Sequence, residues 1–149
     1  MVDRFERFSY AIFEIYRCWH RLASEEMAKY DLKGPYAVYL TALDRCPEGI
    51  TAAQLCDVCG RDKADVSRAM ARMEETGLVQ RCGDGNGYRA KLMLTSRGKF
   101  AADQVKGRAA VAVELAGRGF SDAERGVFYQ VLETITENLQ NLTREGLPE

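Results

Sequence analysis

The sequence has little of what would make a membrane protein, a disulfide-stapled scaffold or an enzyme. No run approaches the roughly 18 uncharged apolar residues that a membrane span needs. The longest candidate, Gly34 to Leu43, is far too short. A single histidine limits acid–base chemistry, and neither His-Glu-x-x-His nor Gly-x-Ser-x-Gly occurs. Three prolines and no low-complexity tract argue against a linker or tail. Neither sign of charge dominates, with 21 Lys and Arg against 22 Asp and Glu, so a uniformly basic coat is excluded but a local patch is not. The segment Met1–Glu6 mixes charges and has no apolar signal core. These absences point to a soluble, cytoplasmic protein that is not an enzyme, needs no cofactor and has no membrane partner.

What is present suits a folded domain. The 149 residues are 46% apolar, enough for a core. The five cysteines, 18, 46, 56, 59 and 82, are an odd number in a chain that can fold without staples, so reduced thiols are expected. Phe5, Phe8, Ile12, Ile15, Trp19 and Leu22 recur at steps of three and four and predict one long helix over the first 30 residues. Phe13, His20 and Met27 form a second, weaker stripe on it. A helix with two apolar faces touches two things: parts of its own core, or core and a partner subunit.

Lys33-Gly34-Pro35 breaks that helix, and Pro35 suits the first turn of a second one running to about Arg45. Thr51-Ala-Ala-Gln54 is a capping-box pattern, so a short third helix starts at Thr51 and stops at Gly60. Asp62 caps a fourth, Lys63 to about Thr76, with Val66, Met70 and Met73 inward. The period then changes. Leu78–Cys82 and Tyr88–Leu94 read as strands around a Gly83–Gly87 turn. Two further helices follow, from Thr95 to about Leu115 and from Asp122 to about Leu142, the second behind a Ser121–Glu124 capping box. Gly83-x-Gly-x-Gly lacks the strand-to-helix context of a dinucleotide site.

Charge is not spread evenly over these elements. Residues 61–99 carry nine basic and five acidic side chains, a surplus of four, while the rest of the chain is net negative by five. The fourth helix carries Lys63, Arg68 and Arg72, and the hairpin carries Arg81, Arg89 and Lys91. Such a helix can enter the major groove, where Arg forks onto guanine and Ser donates or accepts.

The run Ile50-Thr51-Ala-Ala-Gln54-Leu55, Asp62-Lys63-Ala-Asp65-Val66-Ser67-Arg68, Met73-Glu74-Glu75-Thr76-Gly77-Leu78-Val79-Gln80-Arg81, Tyr88-Arg89-Ala90-Lys91 and Leu94-Thr95-Ser96-Arg97-Gly98 resembles the MarR (multiple antibiotic resistance regulator) family of bacterial transcription factors. The Glu-x-x-Gly-Leu-Val-x-Arg and Leu-Thr-x-x-Gly blocks are its most specific parts. The resemblance implies a mainly α fold with a small β-hairpin: a winged helix-turn-helix flanked by long N- and C-terminal dimerisation helices. It implies one MarR-like domain over residues 1–149, with dimerisation helices over 1–30 and 100–146 and a DNA-binding lobe over 35–99.

The function implied is a homodimeric, sequence-specific regulator on a palindromic operator in double-stranded DNA, a repressor released by a small aromatic or phenolic effector. Carried over by position, Lys63, Ala64, Asp65, Ser67, Arg68 and Arg72 lie on the recognition helix. Thr51 and Gln54 meet phosphate, Arg89 enters the minor groove, and Arg81 and Lys91 belong to the wing. Two positions depart from the family. Gly87 stands where an Asp usually steadies the wing. Asp65 stands where a small or hydroxylic residue is common, and a helix-capping role or acceptance from a cytosine amino group would explain it.

Sensing has three readings. Arg17, His20 and Tyr36 are candidates for a pocket that takes an aromatic acid; the plain alternatives are surface charge for Arg17 and a core position for His20. Cys56-x-x-Cys59 invites a redox or metal reading, but no second such pair exists and structural zinc wants four ligands. The plain alternative is core filling beside Leu55 and Val58. The peroxide-sensing branch of the family places its cysteine near Ser9 of this chain, more than two turns before Cys18, so its mechanism finds no support by position. Two other functions stay open: a thiol-based redox regulator, and a winged-helix dimer that acts through protein contacts without an operator.

Overall fold

Short polar side chains set four of the helix starts, at Thr51, Asp62, Thr95 and Ser121. The computed structural model describes residues 3–83 and 89–148. Along it run α1 (Arg4–Ala28), a single 3₁₀ turn (Gly34–Tyr36), α2 (Ala37–Asp44), β1 (Ile50–Thr51), α3 (Ala52–Cys59), α4 (Lys63–Glu75), β2 (Val79–Cys82), β3 (Lys91–Leu94), α5 (Ser96–Ala116) and α6 (Asp122–Glu145). The expected mainly helical fold with a small antiparallel sheet is what forms. Thr51 and Gln54 close a capping box on α3, and Gly60 ends that helix in the left-handed conformation. Asp62 caps α4 by accepting from the Asp65 N–H at 2.8 Å.

Three details differ from the sequence expectation. Pro35 lies in a 3₁₀ turn, and α2 begins only at Ala37. Gly34 abuts α1 so closely that a side chain there would strike the Ser24 hydroxyl, which leaves too little room for a wider turn. The hairpin also gains a third strand. β1 pairs with β3, giving the order β1-β3-β2, with Ile50 opposite Leu92 and Thr51 opposite Lys91. Two residues are too short a run for any periodicity to reveal. The returning strand starts at Lys91, and most of the expected turn, with Gly87 and Tyr88, lies outside the described residues.

The chain forms two compact units, residues 1–108 and 109–149. In the first, Met27, Leu40, Leu43, Leu55, Met70 and Leu92 are fully buried in one core. Thr95 ties the sheet to α5: its N–H donates to the Leu78 carbonyl, its hydroxyl donates to the Gly77 carbonyl at 2.6 Å, and that hydroxyl accepts from the Gly98 N–H. Glu26, 7% exposed, accepts from Lys29 at 2.8 Å and Arg108 at 3.0 Å. Burying a carboxylate is tolerated because it is paired and hydrogen-bonded.

Most of α1 is unburied within its own unit. Only Glu26 and Met27 are buried, and Phe5, Ile15 and Trp19 of the main stripe are exposed. In the second unit a Ser121–Glu124 capping box starts α6. Arg125 donates to the Glu114 carboxylate and the Gly117 carbonyl, which holds α6 to the end of α5. No described residue of α6 is buried. No helix among the described residues is long and apolar enough to cross a membrane.

Candidate nucleic-acid interface

The inward residues of α4 decide what faces out. Val66, Ala69, Met70 and Met73 are buried. The 3.6-residue period then puts Ala64 and Arg68 on the opposite side with Ser67 beside them, while Lys63 is the first residue of the helix; all four are exposed. Asp65 and Arg72 fall on the flank between those faces, both half-buried. Thr51, placed beside Lys91 by β1, sits at the start of α3 with Gln54. The Thr51 hydroxyl accepts from the Gln54 N–H, and the Gln54 side chain accepts from the Thr51 N–H. Both side chains therefore serve the helix start. Arg89 and Lys91 are exposed, and neither forms an ion pair among the described residues.

Several cations of this surface already have acidic partners. Arg68 Nη2 donates to Asp65 Oδ1 at 2.6 Å, and Arg81 Nε donates to Glu74 Oε1 at 2.7 Å. Exposed pairs of this kind are worth about 0–1 kcal/mol, so a phosphate or a base edge can displace or share them. Arg72 is different. Its guanidinium meets the carboxylates of Asp31 and Glu75 and donates to the Asp31 carbonyl as well. These partners, hydrogen bonding to Glu75 foremost, hold its pKa above the usual guanidinium range. Asp31 is the residue with φ of 55°, a left-handed turn just past α1. Arg72 thus straps the end of α1 to α4. Arg72→Ala is expected to lower the thermal midpoint by roughly 2–4 °C and to leave base preference unchanged. An altered base profile with an unchanged midpoint would return Arg72 to the outer face.

The side chain of Asp65 does not cap α4. Asp62 supplies the accepting oxygen, Asp65 only its N–H, and the Asp65 carboxylate turns to Arg68. Arg61 and Arg97, both exposed, add to the basic surface without having stood among the candidates, because no motif position distinguishes them.

Of the pocket candidates, Tyr36 lines a hollow at the turn after α1. Arg17 is exposed and pairs with Glu14 at 2.7 Å. His20, half-buried, stacks on Tyr16. Tyr36 meets Tyr39 edge-on and lines this hollow of about 500 Å³ with Ala28, Asp31, Leu32, Lys33 and Arg72. Neither Arg17 nor His20 lines that hollow. Of the cysteines, Cys18 is exposed, while Cys46, Cys56, Cys59 and Cys82 are half-buried. Cys46, Cys56 and Cys59 pack against the core, as core fillers do, but Val58 faces solvent at 59% exposure. Burial pushes the Cys59 thiol up, only partly offset by Arg45 and Arg61. Its place at the C-terminal end of α3 adds to this, because the negative end of a helix disfavours a thiolate. Among the described residues no group of three His, Cys, Asp or Glu is placed to hold a metal ion.

Comparison with known proteins agrees with this geometry. The MarR family profile matches residues 30–90. No curated protein matches the chain. A MarR transcriptional regulator from Methanosarcina mazei Go1 is 26% identical, with 95% of this chain and 94% of that one covered and a TM-score of 0.81. A putative MarR family transcriptional regulator from Listeria monocytogenes, solved in complex with a 26mer DNA, is 22% identical, with 100% and 99% covered and a TM-score of 0.78. A MarR protein from Peptoclostridium difficile is 19% identical, with 95% and 94% covered and a TM-score of 0.81. Over residues 30–90 the chain carries the MarR family sequence pattern, and over nearly its whole length it has the fold of that family's solved regulators.

Proposed function

We propose that the protein is a homodimeric, sequence-specific DNA-binding regulator of transcription, a binding protein and not an enzyme. The observation that carries this reading is the outer face of α4, where Lys63, Ser67 and Arg68 stand exposed on a helix capped and packed as the second helix of a helix-turn-helix. Around it, Thr51, Arg81, Arg89 and Lys91 would contact backbone or minor groove, and the relative solved with DNA supports such docking. Two recognition helices about 34 Å apart would read half-sites in successive major grooves, which requires a palindrome. The exposed apolar residues of α1 and α6 supply surface for the second copy.

The regulator represses, and a small aromatic or phenolic effector releases it by preferring the conformation that does not fit DNA. Tyr36 is the candidate contact best supported, since it already lines a hollow beside two cations, Lys33 and Arg72. Selection from random duplex DNA tests the core of this reading. Recovery of a palindrome with half-sites about one helical turn apart supports it, and recovery of no common sequence refutes it.

Cys59 weighs against the thiol-based reading. A raised thiol pKa keeps the residue protonated at pH 7, and its reactivity appears only as the pH climbs past the usual thiol range. At pH 7 Cys59 is expected to react with iodoacetamide more slowly than free cysteine. Mass-spectrometric labelling at the free-thiol rate would reinstate it as a sensor.

A further inference from the structure

Asp65 is an odd residue to find beside a surface that meets phosphates, because its charge opposes the approach of DNA. Its backbone N–H is tied to Asp62, so the side chain is not needed for the cap. Its carboxylate lies on the inner flank of α4, close enough to raise the pKa of the buried Tyr39 phenol, although burial is the larger cause of that rise. From there Oδ1 accepts from Arg68 Nη2 at 2.6 Å, while the Arg68 side chain is 68% exposed and points off the outer face.

An unrestrained arginine on an exposed helix samples many rotamers, and a base contact must select one of them. A carboxylate that already holds the guanidinium makes that selection in advance. Guanidinium has five N–H donors. One hydrogen of Nη2 goes to Asp65, which leaves its second hydrogen and both of Nη1. Those two nitrogens form the end-on fork that matches O6 and N7 of guanine.

We propose that Asp65 is a positioning residue that fixes Arg68 for reading a guanine in the major groove, and so sets base specificity while opposing affinity. This rests on the DNA-binding reading above.

The test is random-DNA selection with the parent protein, Asp65→Ala, Arg68→Ala and the double variant, followed by affinity for the selected and a scrambled duplex. Arg68→Ala should lose one preferred guanine in each half-site. Asp65→Ala should weaken preference at that same guanine about fivefold, part of what a whole bidentate contact supplies, and leave the other positions alone. On the Arg68→Ala background it should change nothing further in the profile. Asp65→Asn, which keeps the shape and an uncharged acceptor, should fall between parent and Asp65→Ala, and thermal unfolding of each variant confirms a folded protein.

A profile identical to the parent's would overturn the proposal. So would equal tightening on both duplexes, since that is simple removal of a repulsive charge, and so would an undiminished effect in the double variant. If the parent selects no sequence at all, the DNA-binding reading itself fails and this proposal goes with it.

Discussion

Gly98→Ala is expected to destabilise the protein by about 3 kcal/mol, the upper end of overpacking effects. Gly98 lies in the first turn of α5, where a Cβ would fall 2.9 Å from the Leu78 carbonyl carbon and closer still to its oxygen. That oxygen cannot retreat freely, because it accepts from the Thr95 N–H and belongs to the residue that leads into β2. A flexible side chain would swing aside; a bonded backbone cannot. To admit one methyl group, α5 and the start of the sheet must part, and the Thr95 contacts part with them. Gly107→Ala, on the same helix, is the control. Nothing lies within 4 Å of its added Cβ, so alanine should be neutral or better by about 1 kcal/mol through helix propensity. Urea unfolding distinguishes the two: a large drop in midpoint for Gly98→Ala and none for Gly107→Ala. Equal, small effects would show that the close approach does not constrain the lobe.

Leu132→Asp combined with Leu139→Asp is expected to convert a dimer to monomers. Both residues lie on the apolar stripe of α6 with Phe128 and Val131, and they are 42% and 43% exposed in the single chain. A helix of 24 residues that buries nothing in its own unit, yet keeps such a stripe, is built to be covered by something else. Two charges at the centre of that cover should weaken the dimer at least about 100-fold, a loss of roughly 2.7 kcal/mol. The helix itself should survive, because neither side chain packs in the core of either unit. Sedimentation equilibrium should therefore show a folded monomer, and operator affinity should fall with it as the two half-sites lose their linkage. A variant that stays dimeric would move the dimer contact away from α6.

The parts of this fold that were legible in advance are those governed by nearby residues. The Thr51–Gln54 and Ser121–Glu124 boxes, the Asp62 cap and the Gly60 stop each depend on a few adjacent side chains, and each forms as the spacing predicts. β1 was not legible, because a two-residue strand exists only through its pairing with β3, 40 and 42 positions away in the chain. Arg72 illustrates the same limit within the candidate site. Its position on α4 puts it among the recognition residues, but its partner Asp31 lies across the fold, at a turn whose left-handed backbone no motif announces. Residue type alone marks Arg17, His20 and Tyr36 as pocket candidates. Tyr36 lines a hollow while Arg17 and His20 do not, which depends on how the turn after α1 folds back. The apolar stripes of α1 and α6 were plain in the sequence. Their exposure was not, since the stripe of a buried helix has the same spacing.

Fluorescence anisotropy of the purified protein on the duplex upstream of its own gene, against a scrambled duplex and across several salt concentrations, tests the central claim most directly. The account predicts binding at least about 10³-fold tighter to the first, with log affinity falling steeply and linearly against log salt as counterions leave the phosphates. A weak interaction, equal on both duplexes at every salt concentration, would contradict it.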